Sequence, residues 1–241
     1  MISKMVKRHV IKLLFHAALL TAALIIYFTC RDLLNFTSLF SLGFSSVFLW
    51  IVWATLVVNM LFRIFPNKHI AVGARKHYKC SYRTAQSLNH SKNAPCTKPQ
   101  LHRGAALCAI GWFVISAGLL ITMRLTGILS PATILILMLI YSVTDLCFIL
   151  FFCPFQTLFM HNQCCVTCRI YNWDYFMMCA PLILFPNFFS ASLVVLSSLV
   201  VVIWELAMRK NPQYFLSEKN DNLNCASCED KLCYFRKEGK R

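Results

Sequence analysis

Blocks of roughly twenty consecutive apolar residues recur along this chain, and no other feature restricts its fold so tightly. A helix rises about 1.5 Å per residue, so a block of that length matches the roughly 30 Å hydrocarbon core of a bilayer. A surface helix of a soluble domain would instead keep a polar face. Placed at residues 10–28, 42–65, 104–123 and 132–152, the blocks predict four membrane-crossing helices. Composition agrees: 58% of the 241 residues are hydrophobic and 14% are charged, against about a quarter charged in soluble domains. The expected fold is all-α, a polytopic membrane helix bundle.

The amino end carries Lys4, Lys7, Arg8 and Lys12 ahead of its apolar block, as a signal peptide does. Thr29-Cys30-Arg31 lacks the small-x-small pattern of a cleavage site, so the block is read as an uncleaved first span. Lys12 is expected to snorkel toward the headgroups, with His16 one turn along the same face. The third block is studded with Gly and Ala, which permit close helix packing. The turn through Thr126-Gly127 and Ser130-Pro131 leads into the fourth.

Beyond Pro154 the crossings are harder to draw. Residues 165–185 make a fifth span interrupted by Arg169, Asp174 and Pro181, and residues 188–208 make a sixth. Charge decides between the drawings. The connection 66–103 holds eight Lys or Arg and no Asp or Glu, and the tail 209–241 holds eight more basic residues. Basic loops stay on the cytoplasmic side. With the amino end inside, six crossings place loop and tail together in the cytoplasm, whereas five separate them. A re-entrant or interfacial helix over 171–185, alongside five full spans, is the alternative. The resulting division is a transmembrane domain over 1–208, with the basic loop 66–103, and a cytoplasmic cysteine-containing tail over 209–241. The net charge of +15 then points to anionic lipid headgroups and to no nucleic acid.

Of the thirteen cysteines, Cys30, Cys108, Cys147 and Cys179 fall in or beside spans and read as small apolar residues. The other nine are Cys80, Cys96, Cys153, Cys164, Cys165, Cys168, Cys225, Cys228 and Cys233, all cytoplasmic in the six-span drawing. In that reducing compartment, paired thiols suggest metal ligands or reactive groups before disulfides. Two thiolates two residues apart turn toward one ion, and a tetrahedral ion needs two such clips. Cys165-x-x-Cys168 and Cys225-x-x-Cys228 supply them, with Cys164, Cys233 and Cys153 as further ligands. Zinc fits, as does an iron-sulfur cluster; unligated thiols are the alternative. The basic loop holds a looser finger-like set, His77-x-x-Cys80 and Cys96-x5-His102. Otherwise His69, His77, His90 and His102 are polar loop residues.

Phe152-Cys153-Pro154-Phe155 resembles the Cys-Pro elements of membrane-bound ferredoxin-type electron-transfer subunits, which implies iron-sulfur chemistry. The stretch from Cys153 to Pro181, with its Cys-Cys-Val-Thr-Cys-Arg-Ile-Tyr-Asn-Trp-Asp-Tyr run, and the tail Cys-x-x-Cys-x4-Cys resemble uncharacterised cysteine-rich multi-span bacterial membrane proteins. That resemblance implies the bacterial cytoplasmic membrane and no particular activity.

One ionisable residue stands inside a block, in Tyr141-Ser142-Val143-Thr144-Asp145-Leu146. A carboxylate at such depth is costly and marks a proton or cation site, or the partner of a basic group. The plainer reading is a hydrogen bond within the bundle, to His16 or Asn59. Asp174 is expected to pair with Arg169 or a loop lysine, and Glu205 with Arg209 four residues on. No phosphate loop, nucleophile elbow or zinc-protease helix is present, so no enzyme class is indicated. Three functions remain: a thiolate metal protein, a small-solute or ion transporter built on Asp145, and a non-catalytic assembly subunit.

Overall fold

The computed structural model describes residues 3–34, 44–65, 76–77, 98–155, 169–216, 219–223 and 232. Among them lie six α-helices and no strand: α1 (Lys4–Thr29), α2 (Phe44–Ile64), α3 (Lys98–Leu125), α4 (Pro131–Leu150), α5 (Asp174–Cys179) and α6 (Phe188–Lys210). Short 3-10 turns follow α1 (Arg31–Leu34) and flank α5 (Arg169–Asn172 and Ala180–Leu184). All the helices except α5 have the length and apolar composition needed to cross a membrane.

Local chemistry explains where the helices begin. Ser3 Oγ accepts the Val6 amide at 3.2 Å and caps α1. The turn before α4 needs a left-handed residue, and Gly127 supplies it with φ 71°. Ser130 and Thr133 then form a reciprocal capping box with Pro131 in the first turn. Asn187 and Ser190 form the same device ahead of α6.

The core is built around α4. Within its apolar window 61% of residues are buried, against 22% for α3 and 17% for α1. Every residue from Ala132 to Leu139 is buried, so the first two turns of this helix are enclosed on all sides. α1 lies against it, α2 lies against α6, and α5 packs on both α4 and α6. At two of the small residues of α3, Gly111 and Gly118, no close neighbour is present: a Cβ added there would meet nothing within 4 Å. Only the beginning of α3 is well covered, where buried Ala105 and Cys108 join Ile170, Met177 and Met208.

Most of the segment drawn as a fifth crossing is interrupted helix. Asp174–Leu184 is a short apolar helix of mixed type, spanning roughly 19 Å at 1.5 Å per α and 2.0 Å per 3-10 residue. Pro181 has no amide hydrogen to continue an α-helical ladder, and the turns tighten around it. The chain nevertheless returns. Phe188 stacks on Trp53, nine residues inside α2, with centroids 6.2 Å apart, and Trp53 Nε1 donates to Ser192 Oγ at 2.8 Å. From there α6 runs back to the end of the bundle where α1 starts and α2 and α4 stop. In the tail, Leu232 is buried against Val6, Leu146, Ile149 and Leu150. Val6 near the start of α1 and Leu232 of the tail therefore share one end of the bundle, whether the short helix counts as a crossing or as a re-entrant dip.

Candidate functional site

At that shared end, four charged side chains from four helices converge. Lys12 comes from the third turn of α1, Arg63 from the last turn of α2, Asp145 from α4 and Asp174 from the start of α5. Arg63 and Asp174 are both 8% exposed and form a contact ion pair through Arg63 Nη2 and Asp174 Oδ2. The guanidinium also donates to the Tyr171 carbonyl at 2.9 Å and lies 3.6 Å from the centre of the Tyr171 ring. Asp174 Oδ1 accepts the Tyr175 amide at 2.7 Å. Both members of the pair are thus held by several groups, as a desolvated ion pair requires. Lys12 Nζ donates to Tyr175 Oη at 3.5 Å.

Asp145 is held differently. Its electrostatic neighbours are Asp174, Arg63, Lys12 and Cys153, so two cations and two carboxylates balance in the group. Yet among the described residues no ion pair and no hydrogen bond reaches its carboxylate. It borders two cavities. One, of about 230 Å³, is lined by Arg8, His9, Lys12, Asn59 and Arg63. The other, of about 260 Å³, is lined by Trp112, Tyr141, Phe148, Phe155 and Met177, with Asp174 and Cys153. Asp145, Ile149 and Tyr171 line both.

Several expectations are corrected by this geometry. Lys12 turns into the bundle instead of snorkelling, because the neighbouring acids and the Tyr175 hydroxyl replace water around its ammonium. His16 donates from Nδ1 to the Lys12 carbonyl at 2.8 Å, and Asn59 donates to the Thr55 carbonyl at 2.7 Å. Each is satisfied by its own helix, so neither is the partner of Asp145. Asp174 pairs with Arg63 in place of Arg169 or a loop lysine. Glu205 accepts from Trp173 Nε1 at 2.9 Å in place of pairing with Arg209. Arg63, at the end of an apolar block, does not stand out in the sequence, because headgroups offer such a residue a ready partner. A signal was there: Lys12, Arg63 and Asp145 lie within two and a half turns of the ends that antiparallel packing brings together.

Of the metal candidates, Cys164, Cys165, Cys168, Cys225, Cys228 and Cys233 lie outside the described residues, as do Cys80 and Cys96. Cys153 is partly buried and lines the aromatic cavity. Among the described residues no three His, Cys, Asp or Glu side chains are grouped to hold a metal. Of the loosely finger-like residues, His77 is buried and part of a clasp. Its Nδ1 donates to the Tyr214 carbonyl at 3.2 Å, and its ring stacks on Phe215 with centroids 4.5 Å apart. Burial pushes its pKa down to about 4, so the ring is neutral near pH 7. Asn220 Nδ2 closes the clasp by donating to the carbonyls of Lys76 and Tyr214 at 3.0 and 2.9 Å.

Comparison with protein-family models finds no match, and searches of curated proteins and of solved structures find none either.

Proposed function

We propose that this chain is an integral protein of the cytoplasmic membrane that binds a small solute or ion at Asp145 and carries it across the bilayer. A carboxylate within an apolar helix block is costly unless it is paired or used. The single observation behind this reading is that Asp145 has cations nearby, is reached by no ion pair or hydrogen bond among the described residues, and stands where two cavities meet. In this reading both termini and the basic loop face the cytoplasm, where their charge also favours anionic headgroups. The test is electrical: purified protein in proteoliposomes on a solid-supported membrane, exposed in turn to amines, amino acids and inorganic ions. At least one class should give a current that Asp145→Asn removes. Silence across all classes, or currents unaffected by Asp145→Asn, would end the reading.

A thiolate metal site is the second reading, and one observation favours it. Leu232 and Tyr171 belong to the same apolar cluster. Cys233 follows Leu232 directly and Cys168 precedes Tyr171 by three residues, so the flanks of both cysteine groups are drawn to one end. Zinc there would pin the tail to the bundle, and an iron-sulfur cluster would make an electron carrier. Elemental analysis of the purified protein decides this point, since neither zinc nor iron at stoichiometric level would be compatible with it.

A further inference from the structure

We infer that the larger cavity beside Asp145 is a binding site for small hydrophobic ammonium cations. The inference rests on the Asp145 reading and names the chemical class that the site accepts.

The charged group is polarised between its two cavities. Arg8, His9, Lys12 and Arg63 all line the smaller one and none of them lines the larger. Of the charged group only Asp145 and Asp174 line the larger cavity; Asp174 is engaged with Arg63, and among the described residues no ion pair or hydrogen bond reaches Asp145. The opposite walls are aromatic. Trp112 and Tyr141 stand edge to face at 6.4 Å, and Phe148 and Phe155 at 5.9 Å. Aromatic faces attract a weakly hydrated cation, and most strongly where water is excluded.

The same walls disfavour the other ions. An anion would face two carboxylates. A small inorganic cation needs several oxygen ligands to replace its water, and beyond the carboxylates and Tyr171 the walls offer chiefly the hydroxyls of Ser116, Tyr141 and Thr144. Two of those are engaged with each other, Ser116 Oγ lying 3.2 Å from Tyr141 Oη. An ammonium with an apolar body satisfies both halves of the cavity at once. A volume of about 260 Å³ limits that body to one smaller than a drug-sized ligand. Ile115 lines the cavity and is 70% exposed, so on the α3 side the cavity wall stands at the surface of the bundle.

The test uses benzyltrimethylammonium and the full-length protein in detergent, with affinity read by calorimetry. Saturable binding is expected, weakened about tenfold or more by Asp145→Asn and several-fold by Trp112→Leu. The second variant carries the test should the first not fold. Neopentylbenzene, the neutral isostere, and phenylacetate should bind at least tenfold more weakly. Equal binding of the neutral isostere, or binding untouched by both variants, overturns the proposal and leaves a merely greasy void. If benzyltrimethylammonium does not bind while another solute gives Asp145-dependent current, the cation class is wrong and the transport reading survives. Binding as expected with no current from any amine supports the site and removes transport.

Discussion

Arg63 and Asp174 are 111 residues apart in sequence and form a contact ion pair where the last turn of α2 meets the first residue of α5. The pair ties the interrupted segment to the bundle, and it sorts the two acids of the site into different roles. Asp174 is committed to Arg63 and to the Tyr175 amide. Among the described residues, no ion pair or hydrogen bond reaches its neighbour Asp145.

Breaking that pair from one side should be severe. Arg63→Gln leaves the buried Asp174 carboxylate without its contact cation, at a cost of about 3–5 kcal/mol. Thermal unfolding in detergent should show a large loss for Arg63→Gln, and the double variant Arg63→Gln with Asp174→Asn should recover part of it. Arg63→Lys should rescue poorly, because an ammonium loses the flat contact with Tyr171 and most of the donor geometry. A single variant as stable as the parent contradicts the pairing.

Asp145→Asn should behave in the opposite way. With no contact ion pair to lose, its unfolding temperature should correspond to a change within about 1 kcal/mol of the parent, while ligand-dependent signals disappear. A destabilisation as large as that of Asp174→Asn would mean that Asp145 is structural as well.

The His77 clasp should weaken in acid. An unfolded histidine titrates near 6.5, whereas burial lowers the folded value to about 4. Between those values the undocked state binds the proton and the docked state does not. The stabilisation is therefore complete above about pH 6.5 and is lost as pH falls toward 4. Hydrogen exchange at Tyr214 to Asn220 should accelerate between pH 7.5 and 5, after correction for intrinsic rates. His77→Phe keeps the stack on Phe215 and should flatten that dependence.

Leu232 and Val6 belong to one buried apolar cluster, and the proposed reading places both on the cytoplasmic side. Reporter fusions at residues 1 and 241 should both read out as cytoplasmic. Opposite sidedness would overturn both the chain path and the charge argument.

Much of this architecture is legible in the residue pattern because apolar blocks and caps are local. Five long helices fall close to the drawn blocks, and Gly127, Ser130 and Asn187 mark turns that the dipeptides announce. The interrupted segment was half-legible: Asp174 and Pro181 mark it as a poor span, but its return path depends on Trp53 meeting Phe188 and Ser192, a contact far apart in sequence. The site divides in the same way. Asp145 stands out because one acid in an apolar block is anomalous. Lys12 and Arg63 do not, since a basic residue near a helix end has a ready alternative in the headgroups. Only the packing of α1 on α4, and the meeting of the end of α2 with Tyr171 and Asp174, turns them inward. The paired cysteines remain a sequence argument, because all of the clip residues lie outside the described structure.

The most direct test of the Asp145 account is chemical labelling of its carboxyl group. A hydrophobic carbodiimide entering from the lipid should modify a carboxyl that faces a cavity and lacks a contact partner, and should spare one locked to a guanidinium. Peptide mass spectrometry of the treated protein should place the adduct on Asp145 and not on Asp174, with benzyltrimethylammonium slowing the reaction. Modification of Asp174 with Asp145 untouched would contradict the account.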